Sequence, residues 1–253
     1  MKNAILGTFL SLLAVAATAQ DAGTVIFATS GVTAERVPPV ALVKGDAVRV
    51  QDTIATDASA RAQLLMIDGA KIALRPGSRL KIEEYAFGAD ATTAASAVTT
   101  SEERSVTSLL KGGFRTITGA IGKQDEKDYE VRTAVGVLGI RGTDYSAVFC
   151  NGDCDWAPGV AAGQPLEDGL YLGVTEGTIV FRNEFGDGEL RTGQFAFVPL
   201  SERRLQNLTA PPAVLLDDND LGLDAGGSAQ TRPDDASTTG FDTKLGTRRT
   251  PTP

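Results

Sequence analysis

No histidine occurs anywhere in the 253 residues. That removes the commonest general base, the commonest neutral metal ligand and the usual switch near neutral pH. Cysteine is nearly absent: Cys150 and Cys154 are too few to make a structural zinc site of four ligands by themselves. Aromatic residues make up 6% of the chain, with one tryptophan, Trp156. An excess of basic charge is missing as well. The formal net charge of −8 and a pI near 4.7 argue against nucleic acid or an anionic membrane as the natural partner. Beyond the N-terminus no stretch approaches the roughly 18 apolar residues of a membrane-spanning helix. No G-x-S-x-G, P-loop or G-x-G-x-x-G fingerprint stands in a suitable context.

What is present begins with a leader. Residues 1–19 carry one lysine, an apolar run and a closing Ala17-Thr18-Ala19. This is the pattern of a secretory signal peptide, with Gln20 as the first mature residue. A membrane anchor is the competing reading, but the run is short for a span and ends in small residues. The mature chain is therefore expected to be soluble and exported, periplasmic or secreted.

From Gly23 onward short alternating runs are punctuated by glycine and turn residues. They include 45–56, 61–67 with its Asp68-Gly69 hairpin signal, 70–74 and 79–85. Residues 88–105 are rich in Ala, Thr and Ser and read as a surface loop between two strand sets of one domain. A second set follows, with strands expected from 109, near 129–133, over 144–150, and in four pieces between 169 and 198. No helical period and no fixed repeat length emerges. The expected fold is all-β: a single domain of stacked or rolled sheets with solenoid-like character over 20–200, with a jelly-roll or β-sandwich as the alternative. Residues 201–216 read as a tether. Residues 217–253, with seven acids against four bases and few large apolar side chains, read as a disordered acidic tail.

Chemistry has few places to reside. In an oxidising compartment, Cys150 and Cys154, which flank Asn-Gly-Asp, close a small disulfide loop of about 1–2 kcal/mol. Unpaired thiols or a metal or redox pair are the alternatives, and a redox pair would normally be C-x-x-C at a helix start. Asp46, Asp52, Asp68, Glu83, Glu84, Asp144 and Glu176 include no pair whose separation a sequence can fix for glycoside hydrolysis. Most of them sit where an Asp or Glu would accept backbone N–H bonds in a turn. The acidic run 217–224 departs from a calcium loop at Leu221 and Ser228. Asn207-Leu208-Thr209 matches a glycosylation acceptor by pattern alone.

The densest stretch is T-A-V-G-V-L-G-I-R-G-T-D-Y at 133–145. Its aliphatics ask for burial. An arginine among them must find a carboxylate or several carbonyls. Arg141 is accordingly expected as a buried tether to Glu83, Glu84 or Asp144.

Taken in order, the pieces resemble the FecR domain, the exported β-rich module of bacterial iron-transport regulators and their relatives. The matching segments are V-K-G-D-A-V from Val43, D-T-I-A-T from Asp52, R-A-Q-L-L-M-I-D-G-A from Arg61 and I-A-L-R-P-G-S-R-L-K-I from Ile72. L-K-G-G-F-R from Leu110 follows, and above all G-I-R-G-T-D-Y from Gly139, with V-T-E-G-T-I-V from Val174 and T-G-Q from Thr192 closing the series. The resemblance implies a non-enzymatic module that acts through protein contacts, with no catalytic residue, cofactor or metal. It makes Gly139, Arg141, Gly142, Thr143 and Asp144 a structural signature. In the regulator branch the family passes a signal from an outer-membrane transporter to an inner-membrane anti-sigma factor. A cleavable leader in place of a cytoplasmic segment and span points instead to a free relative that senses, binds or scaffolds at the envelope. The expected partner is an unidentified envelope protein, with no nucleic acid and no membrane span in the mature chain. The alternative is an envelope carbohydrate-binding or scaffold protein, for which Trp156 in the cysteine loop is the candidate contact.

Overall fold

The computed structural model describes residues 20–88, 103–154 and 166–216. Period-two alternation puts one face of each run into a core, and the described residues form fifteen strands. The first eight are β1 (Asp21–Ala28), β2 (Val32–Ala34), β3 (Val40–Ala41), β4 (Ala47–Arg49), β5 (Thr53–Thr56), β6 (Ala62–Met66), β7 (Lys71–Leu74) and β8 (Arg79–Ala86). The rest are β9 (Arg104–Ile117), β10 (Tyr129–Arg132), β11 (Val137–Cys150), β12 (Gly169–Asn183), β13 (Gly186–Arg191), β14 (Phe195–Pro199) and β15 (Gln206–Leu208). The described residues are predominantly β, and their strands hydrogen-bond into one open sheet.

Three strands change neighbours half-way. In β9 the first half pairs with β8 and, in parallel, with β10, while the second half pairs with β7 and β11. The start of β11 lies beside β10 and its end beside β9. The start of β12 lies beside β14 and its end beside β13. The sheet is thereby doubled into two leaves. One runs β3-β2-β5-β8-β9-β10-β11-β12-β13, and the other runs β4-β1-β6-β7-β9-β11-β12-β14-β15. Ile54, Leu80, Leu138 and Phe181 of the first leaf join Val25, Leu64, Phe114 and Leu172 of the second in one buried cluster. Burial of side chains of this size, about 1.5–3 kcal/mol each, is what holds the leaves together.

Several sequence expectations shift here. A loop is predicted up to Ser105, yet β9 already begins at Arg104, because Ser105 and Thr107 point into a polar part of the core and are almost fully buried. Separate strands are predicted on either side of Glu176, and 144–150 as a continuation of the stretch 133–145. Both β11 and β12 run through, bending at glycine rather than ending there. The stretch 201–216, read as a tether, contributes β15 to the second leaf and ends with Val214 and Leu215 buried.

The second leaf has a small core on its outer surface too. Alternate side chains point to opposite faces, so Val148, Tyr171 and Phe197, adjacent in register, face away from the main core. They pack with Cys150, Cys154, Val214 and Leu215, and the Tyr171 and Phe197 rings stack at 4.4 Å.

Candidate functional site

The stretch 133–145 supplies the bend at which β11 passes between leaves. Gly142 has φ +56°, a left-handed conformation open to glycine at little cost. The bulge interrupts the ladder between Arg141 and Asp144, and Thr143 repairs it. Its hydroxyl donates to Thr178 O at 2.8 Å and accepts from Thr178 N at 3.2 Å, while Thr143 N donates to Thr118 Oγ1 at 2.9 Å. Gly177, at φ +88°, bends β12 at the same level. A Cβ there would stand 2.9 Å from Gly142 C and from Thr143 Cα, and closer still to Gly142 O. Asp144 then accepts from Nε and Nη2 of Arg115 on β9, at 3.0 and 2.8 Å, in a pair with side chains 13% and 11% exposed. Tyr145 is fully buried, edge-on to Phe114. Gly142, Thr143 and Asp144 are thus structural members of the motif.

Beneath the bend lies a polar knot. Asp68, in the β6–β7 turn, accepts the Tyr85 hydroxyl at 2.5 Å and the N–H groups of Ala70 and Ile121 at 3.0 and 3.3 Å. Its carbonyl accepts Ala120 N at 3.0 Å. The hairpin turn read from Asp68-Gly69 therefore anchors a second segment, the single-turn helix Ile121–Lys123. Burial drives the phenol pKa of Tyr85 and Tyr145 well above the ordinary range, and that of Tyr129 to about 12. Tyr129 neighbours Thr116 and Tyr145, whose own hydroxyl is buried.

The outer face of the first leaf is a ladder of ion pairs. Glu83, Arg132, Glu130, Arg104 and Glu84 form one unbroken chain across β8, β9 and β10. It flanks Val106, which is fully buried although it faces outward. A hydrogen bond from Ser108 and the Arg132 guanidinium hold the Glu83 carboxyl below its usual range. Exposed pairs are worth under about 1 kcal/mol each, so the ladder fixes register more than it adds stability.

Arg141 corrects the sequence reading. It is exposed, and the three carboxylates expected to hold it serve Arg132, Arg104 and Arg115 instead. In β11 Leu138 and Ile140 face the core, so Gly139 and Arg141 face outward on the alternate positions. Arg141, Gln124, Asp125 and Glu126 line a shallow hollow of about 360 Å³. A neighbouring hollow of about 380 Å³ shares Glu126 and is lined also by Gly139 and Arg182. The loop residues 124–126 carry no motif, and only the fold reveals them.

Cys150 and Cys154 form a disulfide with Cα atoms 5.5 Å apart. Within its loop Gly152 N donates to Asp168 at 2.6 Å, and Asp153 pairs with Lys111 at 3.2 Å. Trp156 lies outside the described residues. Of the other carboxylates, Asp46 accepts Val43 N in a turn, and Asp52 holds Arg36 bidentately while accepting Arg49 N. Glu176 is exposed at the β12 bend. Among the described residues no three His, Cys, Asp or Glu are grouped to hold a metal, and no helix is long and apolar enough to cross a membrane.

Residues 52–164 match the family profile described as "FecR protein". Two crystal structures of a "putative anti-sigma factor" from Parabacteroides distasonis ATCC 8503, at 1.65 and 2.50 Å, are similar at 12% identity and a TM-score of 0.43. The similarity covers 63% of this chain and 60% of that one. Comparison with curated proteins gave no match.

Proposed function

From the premise that this chain carries a FecR-family domain over residues 52–164, we propose that it is an exported, non-enzymatic module acting through protein–protein contacts in envelope signalling or sensing. The observation that carries this reading is the family match itself, which includes the whole bend motif. The site chemistry agrees with it. Most carboxylates read as active-site candidates are engaged in ion pairs or turns, while an exposed arginine and a shallow hollow suit contact with another surface. The signal-peptide-like pattern of residues 1–19 supports export to the periplasm or beyond. The course of β9, β11 and β12 through both leaves supports a rolled, stacked architecture. The composition of 217–253 supports a disordered acidic tail.

The test is affinity capture from envelope extract with the exported chain as bait. Recovery of a protein partner is the expected result. Retention on glycan alone would make it a carbohydrate-binding protein, and recovery of neither would count against a contact module.

A further inference from the structure

Five arginines on the outer face of the first leaf are committed. Arg79 holds Glu35, Arg104 and Arg132 join the five-membered chain, Arg182 holds Glu126, and Arg191 holds Glu189. Arg141 is exposed on that face and makes no ion pair among the described residues, although two carboxylates line the same hollow. Those carboxylates are engaged elsewhere: Glu126 with Arg182, and Asp125 with the Lys127 N–H at 3.1 Å. Gln124 is turned to Glu103. A second cation stands close by, for a Cβ on Gly142 would lie 4.0 Å from Lys123 Cγ.

We propose that this hollow is a recognition site for a single carboxylate side chain on a protein partner, with Arg141 as its bidentate anchor and Lys123 as a flanking charge. The inference deepens the protein-contact reading and rests on it. Three features fit Arg141 to this task. A guanidinium presents a planar fork that matches a carboxylate in two parallel hydrogen bonds. Its strand is pinned on both sides, by the Thr143–Thr178 bonds and by the Asp144–Arg115 pair, so on binding the side chain, and not the backbone that carries it, is what has to be ordered. The opposite wall is pinned as well, since Ala120 and Ile121 are bonded to Asp68 and Ile121 is fully buried. Asp125 and Glu126 at the rim set the selectivity. They leave room for one negative charge beside Arg141 and repel a polyphosphate or an acidic run, which agrees with a chain of net charge −8.

The test is a titration of the full-length, nitrogen-15-labelled chain with N-acetylglutamate methylamide, followed by the amides of Gly142 and Thr143 and the Arg141 side-chain resonance. Saturable shifts at these positions are expected, with binding weakened roughly tenfold or more in Arg141→Gln. Arg204→Gln is the control, because Arg204 is also exposed and without an ion pair among the described residues; it should leave the titration unchanged. Shifts that survive Arg141→Gln, or that N-acetyllysine methylamide reproduces, overturn the inference. Affinity capture separates its failure from that of the wider reading. A protein partner recovered equally by wild type and Arg141→Gln defeats the hollow and leaves the contact module standing, whereas glycan-only recovery defeats the module.

Discussion

Replacing Gly177 by alanine is the most demanding perturbation of the crossing between the leaves. Two costs add. At φ +88° a side chain enters the left-handed region, at about 1–2 kcal/mol. The new methyl also meets backbone: Gly142 C and Thr143 Cα at 2.9 Å, with Gly142 O nearer still. No rotamer relieves a clash with backbone, so β11 and β12 must part there. Parting stretches the two bonds of Thr143 to Thr178, each worth about 1 kcal/mol net. The total is about 3–4 kcal/mol, a fall in Tm on the order of 10 °C for a domain of this size. Gly142→Ala is the internal control. It too has a positive φ, but the nearest atom to its Cβ is Lys123 Cγ at 4.0 Å, so only the first cost applies, about 1–2 kcal/mol. Urea denaturation of the two variants and wild type reads the difference directly, provided the slopes agree. Equal losses in the two variants would refute the close approach of the two bends as the feature that sets this crossing.

Two further outcomes follow from the same packing. All four tyrosines in the sequence, Tyr85, Tyr129, Tyr145 and Tyr171, have raised pKa values, Tyr129 and Tyr171 to about 12, chiefly through burial. A phenol raised in the folded state contributes stability fully below the unfolded value of 10 and loses it as pH rises through about 12. Absorbance at 295 nm should therefore show no tyrosine ionising near pH 10 while circular dichroism remains native, and one phenol titrating normally in the folded protein would contradict this. Replacing Cys150 and Cys154 by serine should cost about 1–2 kcal/mol. It should also speed proteolysis after Leu208, because Val214 and Leu215 pack against the disulfide; unchanged cleavage there would show that the bridge does not support that segment.

The parts of this structure that were legible in the sequence are those governed by local rules. Alternation and turn chemistry mark most strands, and Asp68-Gly69 marks the β6–β7 hairpin at its correct place. The cysteine spacing anticipates the bridge between Cys150 and Cys154. Long-range partnership is what the sequence withheld. A glycine inside an apolar run signals either an end or a bend, and only the opposing glycine of another strand decides between them, as Gly142 and Gly177 do for each other. The place of Arg141 is hidden for the same reason. A charge amid aliphatics looks buried until the alternation of β11, with Leu138 and Ile140 inward, turns it outward. The sequence marks Asp68 only as a turn residue, because nothing in its neighbourhood announces Ile121, which lies 53 residues away along the chain.

One motif is assigned two duties here: Gly142, Thr143 and Asp144 hold the bend, while Arg141, exposed and without an ion pair among the described residues, meets a partner. Paired urea denaturation of Arg141→Gln and Asp144→Asn tests that division most directly. Asp144→Asn strips the charge from a mostly buried bidentate pair and should lose about 2–4 kcal/mol. Arg141→Gln, at an exposed side chain with no ion pair among the described residues, should stay within about 0.5 kcal/mol of wild type. A loss in Arg141→Gln as large as that in Asp144→Asn would return Arg141 to the role of structural tether and contradict the account.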